Sequence, residues 1–151
     1  MRANRRGAAL LSAVLLSVLL TACGPSPYTP ETVDQLLESG AFAGEMEWVD
    51  GEVLCVLYGL DRAAVTEAAG YLAIDTASSA DEVAVFVMQD EAAAQQAEMA
   101  CRNRLAAQID SYTTYGPDQV PRLEQAVVHR VGHTVLLAVG DPGKLSEALG
   151  R

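Results

Sequence analysis

An α+β fold is the expectation for this chain: one four-stranded antiparallel sheet with helices packed on it. Three observations predict it. Two pairs of strand-like apolar runs, Ala68–Ile74 with Glu82–Met88 and Gln125–Val131 with Thr134–Val139, are each joined by a short turn-rich link, the pattern of β-hairpins. A helical pattern follows each pair. A further helical segment precedes both. The resulting order is a pseudo-repeat, ββα-ββα after an N-terminal helical segment, visible in pattern and not in residue-level repetition. Hairpins followed by helices favour a two-layer sandwich with helices on one face of the sheet.

The elements follow in order. Thr29-Pro30-Glu31 starts the first helix: Thr suits the N-cap, Pro the first helical position, and an acid the positive helix end. Val33, Leu36 and Leu37 supply its buried stripe, and Ser39-Gly40 ends it. In Ala41–Leu60, Asp50 can cap a short helix through Tyr58 with Gly59 as its stop, with Leu54, Leu57 and Tyr58 facing inward; the β-branched Val53 and Val56 leave a strand as the alternative. Asp61–Thr66 reads as a turn or helical turn. In the hairpin run Val83-Ala84-Val85-Phe86-Val87-Met88, both alternations are apolar, which marks a central strand. Asp90 caps a long, Ala-rich helix to about Ser111, with Ala93, Ala97, Cys101, Leu105, Ile109 and Tyr112 as its inner stripe. Tyr115-Gly116-Pro117-Asp118 is a turn, followed by a helical turn that Pro121 interrupts. Gly132-His133 joins the second hairpin, and Asp141-Pro142 caps a last helix with Leu145 and Leu149 inward. Because Val85, Val87, Leu137 and Val139 alternate with Phe86, Met88, Leu136 and Ala138, the second sheet face needs a cover as well. The N-terminal helical segment is the available one; otherwise an apolar face is left for a partner.

Ahead of this domain, residues 1–22 read as an export leader. Arg2, Arg5 and Arg6 precede an apolar run from Ala8 to Leu20, closed by Thr21-Ala22-Cys23, the order of a signal peptide. The stretch from Gly7 to Ala22 is shorter than the roughly 20 residues a membrane-crossing helix needs, and Pro25 and Pro27 follow it at once. Cleavage between Ala22 and Cys23 with a lipid on the Cys23 thiol is therefore expected. Residues 23–29 form the lipidated cysteine and a short linker, and residues 30–151 a single domain.

Loss of the three leader arginines leaves 7 Lys+Arg against the chain's 20 Asp+Glu, a formal charge of −13. Nucleic-acid binding needs clustered cations to neutralise phosphates, and no basic cluster occurs. Attachment to the membrane must then come from acyl chains, of which two anchor stably. The acids are scattered, without the spacing of a calcium loop, and read as solvated charge that keeps a tethered domain soluble.

Little else in the chain carries chemistry. Cys55 and Cys101 sit in apolar neighbourhoods and read as small core residues; a disulfide requires their Cα atoms within about 7 Å. His129 and His133 flank a turn with no third ligand in evidence, so no metal site is expected. There is no nucleophile elbow, zinc motif or phosphate loop. No catalytic residue and no cofactor are assigned. The aromatics Trp48, Tyr58, Tyr112 and Tyr115 are the candidate interaction surface, with sealing of the core edge as the competing role; Trp48 lies among Glu45, Glu47, Asp50 and Glu52, which argues for its partial exposure.

Val56-Leu57-Tyr58-Gly59-Leu60, Asp81-Glu82-Val83-Ala84-Val85-Phe86, Tyr115 through Glu124 and Gly132 through Val139, taken in this order and spacing, resemble a family of small bacterial lipoproteins. The family is defined by a domain of unknown function and occurs mainly in Gram-positive anaerobes. The resemblance covers nearly all of the chain after the leader; Cys55, Cys101 and His133 depart from it. It implies an envelope location and transfers no catalytic residue.

The expected function is thus that of a lipid-anchored module on the extracytoplasmic face of the cell membrane. It is expected to be non-enzymatic and to bind an envelope protein partner. The alternatives are a small ligand-binding lipoprotein, which requires a pocket of at least about 300 Å³, and an envelope hydrolase, which requires two carboxylates converging in a cleft.

Overall fold

Five strands, rather than four, make up the sheet. Their spatial order is β1-β2-β3-β5-β4, with every neighbouring pair antiparallel. The computed structural model describes residues 27–151, so Ala22 and the expected lipid site Cys23 lie outside the described residues. Along the chain the elements are α1 (Pro30–Glu38), β1 (Met46–Val49), α2 (Gly51–Tyr58), β2 (Val65–Ala73), β3 (Glu82–Met88), α3 (Glu91–Tyr115), α4 (Val120–Glu124), β4 (Val127–Val131), β5 (Thr134–Val139) and α5 (Pro142–Ala148). Short 3-10 turns at Arg62–Ala64 and Pro117–Gln119 lead into β2 and α4.

β3 and β5 have the bounds their apolar runs predict. β1 is the strand the sequence pattern misses. It has four residues, of which Glu47 and Trp48 are exposed, so it shows no clear alternation. The short stretch Asp50–Gly59 resolves as helix.

The central strands supply two cores at once, because successive side chains of a strand point to opposite faces. Ala84, Phe86 and Met88 join Val135, Leu137 and Val139 on one face, beneath α2, α3 and α4. Val83, Val85, Leu136 and Ala138 form the other core with Val33 and Leu36 of α1, Leu145 of α5, and Tyr28. The architecture is therefore three-layered, with helices on both faces, and the two-layer expectation is corrected. A one-sided cover would leave the fully buried Val83, Val85 and Leu136 in water, and each such side chain contributes about 1.5–3 kcal/mol when buried.

The pseudo-repeat is not borne out in space. α3 and α5 each follow a hairpin, but they pack on opposite faces of the sheet, so no local symmetry relates the two ββα runs.

Local signals account for the helix ends. Asp90 Oδ1 accepts from Ala93 N–H at 2.8 Å and starts α3, which runs on to Tyr115, a turn beyond the expected end, and stops at Gly116. Asp141 Oδ1 accepts from Lys144 N–H at 2.9 Å and starts α5. Pro121 falls in the first turn of α4, where a missing N–H costs nothing; it does not interrupt the helix. Among the described residues no helix is long and apolar enough to cross a membrane.

Candidate protein-binding groove

The sequence of α2 places apolar side chains on every side of it. Leu54, Cys55 and Tyr58 turn inward and are buried; Val53, Val56 and Leu57 turn outward and are exposed, Val56 by 83%. A helix apolar all round is normally enclosed, yet the outer side of this one meets solvent. Its ends are firmly set. Asp50 Oδ1 accepts from Glu52 N–H at 2.8 Å. At the other end Leu60 N–H reaches Cys55 O at 2.8 Å and Gly59 N–H reaches Val56 O at 3.1 Å, the paired bonds that close a helix through a left-handed residue. Gly59 takes that conformation, at φ +66°. Gly59→Ala is expected to cost about 1 kcal/mol, read from urea denaturation, with no steric clash because nothing lies near the added carbon.

Between α2 and α3 runs an open groove of about 720 Å³. Val56 and Leu57 form one lip. Met99, 63% exposed, stands on the other with Gln96 and Asn103. Tyr58, Arg104, Gln108 and Tyr112 line its depth.

Beneath the groove lies a buried ion pair. Glu82, only 1% exposed, starts β3 and faces α3. Arg104 grips it with two of its nitrogens, Nε to Oε1 at 2.6 Å and Nη2 to Oε2 at 2.9 Å. Gln108 Nε2 donates to Oε2 at 2.9 Å, and the Tyr58 hydroxyl donates to Oε1. The Arg104 guanidinium also stands 5.1 Å from the centre of the Tyr58 ring, within cation–π range. Gln108 Oε1 is buried and accepts no hydrogen bond. Burial, and then the Glu82 charge, push the Tyr58 hydroxyl well above its ordinary pKa. Burial pulls Arg104 down, but hydrogen bonding and charge from Glu82 outweigh it and leave its pKa raised. Apart from Gln108 Oε1 these groups pair with one another, and the network holds α3 in position against the sheet.

The neighbouring Asp81 does not join Glu82 in a cleft. The two carboxylates take separate partners. Asp81 Oδ2 accepts from Ala43 N–H at 2.6 Å. Arg122 Nε lies 2.8 Å from Oδ1, an ion pair whose N–H is not aimed at that oxygen, so Oδ1 accepts no hydrogen bond.

The four candidate aromatics do not form one platform. Tyr58 and Tyr112 come together in the groove, the first buried and the second half-buried with its hydroxyl 2.7 Å from Thr76 O. Tyr115, 83% exposed, ends α3 and is not among the groove's lining residues. Trp48, 56% exposed, lies on β1. Its strand neighbour Val49 packs toward the α2–α3 core and Met46 toward the α1–α5 core, so alternation puts Trp48 on the face away from the groove. The histidines also separate. His129 on β4 is half-buried, its Nδ1 2.5 Å from the Tyr28 hydroxyl, and His133 is exposed in the β4–β5 turn. Among the described residues no three His, Cys, Asp or Glu side chains gather as a metal site would need.

Cys55 and Cys101 are free and buried. Burial pushes the Cys101 thiol up to about 12, with Glu82 adding to the effect. The linkage sign is fixed by that rise. Below pH 9 both folded and unfolded chains keep the thiol protonated and its full contribution to stability is present. Between about 9 and 12 only the unfolded chain ionises, so stability falls as pH rises. Iodoacetamide at pH 8.5, followed by peptide-resolved mass spectrometry, is expected to leave Cys101 unlabelled until denaturant is added. Rapid labelling of the native chain would contradict this placement.

Glu82, Arg104, Gln108 and Met99 were not among the residues singled out from sequence. A signal was there: Cys101, Arg104, Gln108 and Tyr112 recur at helical spacing, placing two polar residues inside the inner stripe of α3, where a buried partner is required.

Fold and groove together define a small α+β domain in which two helices on one sheet face enclose an open, apolar-rimmed cleft over a saturated ion pair. The chain matches the model of the family "Domain of unknown function (DUF4358)" over residues 38–140, and it belongs to that family. The match runs from the last residue of α1 to Gly140, the residue after β5, so it takes in the whole sheet and both walls of the groove. Comparison with curated proteins gave no match, nor did comparison with solved structures.

Proposed function

We propose that this protein is a lipid-anchored accessory module of the cell envelope that binds a protein partner through the α2–α3 groove. The observation that carries the reading is the outward apolar side of α2, facing Met99 across the groove. Exposed apolar surface of this kind, rimmed by polar groups, marks interaction sites. The walls add no free charge, since Arg104 is spent on Glu82.

The tether supports the same reading. Tyr28 is buried against the α1–α5 face, its N–H donating to Thr134 Oγ1 at 2.9 Å. Four residues separate it from Cys23, and the five residue steps reach about 17 Å at most. A lipid on Cys23 would therefore hold the α1–α5 face toward the bilayer and leave the groove, on the opposite face, open to the envelope space.

A photo-crosslinking residue at Val56 in cells tests the proposal. It should trap a discrete partner species that a crosslinker at Glu124 does not, and Met99→Glu should abolish that species. Equal, diffuse crosslinking from both positions would refute it. The N-terminal half of the proposal is checked by mass spectrometry of the native chain, which should start at a diacylglyceryl-modified Cys23.

A second reading has one observation in its favour. The groove volume of about 720 Å³ falls in the range of small-molecule sites, so a ligand with an apolar body could lie between Val56, Leu57 and Met99. A soluble ligand would compete with the Val56 crosslink, whereas a protein partner alone would leave it unaffected by small molecules.

A further inference from the structure

The second exposed feature lies elsewhere, at the free edge of the sheet. β1 is the terminal strand and pairs only with β2. Ile74 N–H bonds to Glu45 O at 3.0 Å, and Met46 stands opposite Ala73 and Trp48 opposite Tyr71. In an antiparallel ladder the residues that exchange bonds alternate with those that do not. Glu45, Glu47 and Val49 therefore turn their backbone groups toward β2. Met46 and Trp48 turn theirs outward, where among the described residues no strand meets them. Such an edge is a template for another strand.

The charged side chains of the segment that carries this edge are acidic, with Arg62 standing near its Asp50 end and Lys144 bonded to Gly40 O ahead of it. From Tyr28 to Asp61 the chain has eight Asp or Glu and no Lys, Arg or His. Glu45 and Glu47 flank the edge itself, and both are exposed. Trp48, exposed beside them, offers a ring face, and tryptophan is the best aromatic partner for a cation.

We infer that β1 receives an extended, Lys/Arg-bearing segment of a partner protein as a sixth strand. Its backbone would pair with the outward groups of Met46 and Trp48. On one side its cations would meet Glu47; on the other they would stack on Trp48. This is strand addition, in which the backbone supplies affinity and alternate side chains supply selectivity. The competing role for the acids is protective, since charged side chains on an edge also discourage pairing between like chains. A protective edge would accept no strand, and the test separates the two.

Trp48 is the only tryptophan in the chain, so its emission reports on this edge alone. The full chain in a nonionic detergent is titrated with three short Trp-free peptides: a Lys–Val peptide of Lys-Lys-Val-Val repeats, which carries Lys on both strand faces, a Glu–Val peptide of Glu-Glu-Val-Val repeats, and the Lys–Val peptide with a central Val replaced by Pro. The Lys–Val peptide should shift Trp48 emission to the blue and saturate. The Glu–Val peptide should give no shift, and the Pro peptide, which has the same charge but lacks a ladder donor, should bind far more weakly. Glu47→Lys should weaken the Lys–Val peptide by roughly three- to tenfold, the range of one or two cross-strand charge pairs, with an unchanged circular dichroism spectrum. Absence of a response to Lys–Val overturns the inference. So does equal binding of the Pro peptide, which would show adsorption by charge alone. Val56→Glu should leave the titration unaltered, so failure here and failure of the groove reading are distinguishable.

Discussion

Replacing Arg104 with Met is expected to destabilise the fold by about 3–5 kcal/mol, the cost of removing one member of a buried pair. Arg104 makes two charge-assisted hydrogen bonds to Glu82, whose side chain is 1% exposed. Without the guanidinium, that carboxylate stays under α3 with only Tyr58 and Gln108 as donors, and neither carries a charge. Few domains have more than 5–15 kcal/mol of stability to lose. Urea denaturation followed by circular dichroism reads the change. The double variant Glu82→Leu with Arg104→Met should recover much of the loss, because it removes the stranded charge along with its partner. If Arg104→Met alone costs less than about 1 kcal/mol, the pair is not the clamp described here.

Leu54→Ala should be nearly as damaging, at about 2–5 kcal/mol. Leu54 is fully buried and rests on β2 at Gly70, beside Tyr58, which packs on Phe86. Beneath it β2 has Gly70, where an added Cβ would stand 2.7 Å from Val83 O and 3.1 Å from Leu54 Cδ1. The absence of a side chain at Gly70 is what lets α2 lie so close. Loss of Leu54 leaves a cavity at this contact, so hydrogen exchange in α2 should accelerate more than in α5, which packs on the other face. Gly70→Ala attacks the same contact from below by overpacking, at a cost of about 1–3 kcal/mol. Both variants should weaken the Val56 crosslink, because both displace the lip of the groove.

Much of the fold was legible in local chemistry. Asp50, Asp90 and Asp141 start the helices they were expected to start. The apolar runs of β3 and β5 have the bounds their patterns indicate. β1 was not legible, because an edge strand of four residues need bury only its end positions, and Met46 and Val49 bury theirs on opposite faces. The candidate site was half legible. Tyr58 and Tyr112 do meet in the groove, but Trp48 points to the other side of the sheet, a separation that depends on strand register.

What the amino-acid order determined by itself is therefore local: caps, turn glycines, hydrophobic period, the scarcity of cations, and an apolar pattern on both alternations of the central strands that demanded cover on two faces. The N-terminal helix, α1, is the cover that order offered, and it answers part of that demand; that α5 joins it was decided only by tertiary structure. α1 and α5 close one face while α2, α3 and α4 close the other, and Arg104 finds Glu82 across 22 residues of chain. Propensity and periodicity act over a few residues. The choice of face, and the pairing of a buried charge with its counter-charge, are settled by the free energy of the whole packed assembly.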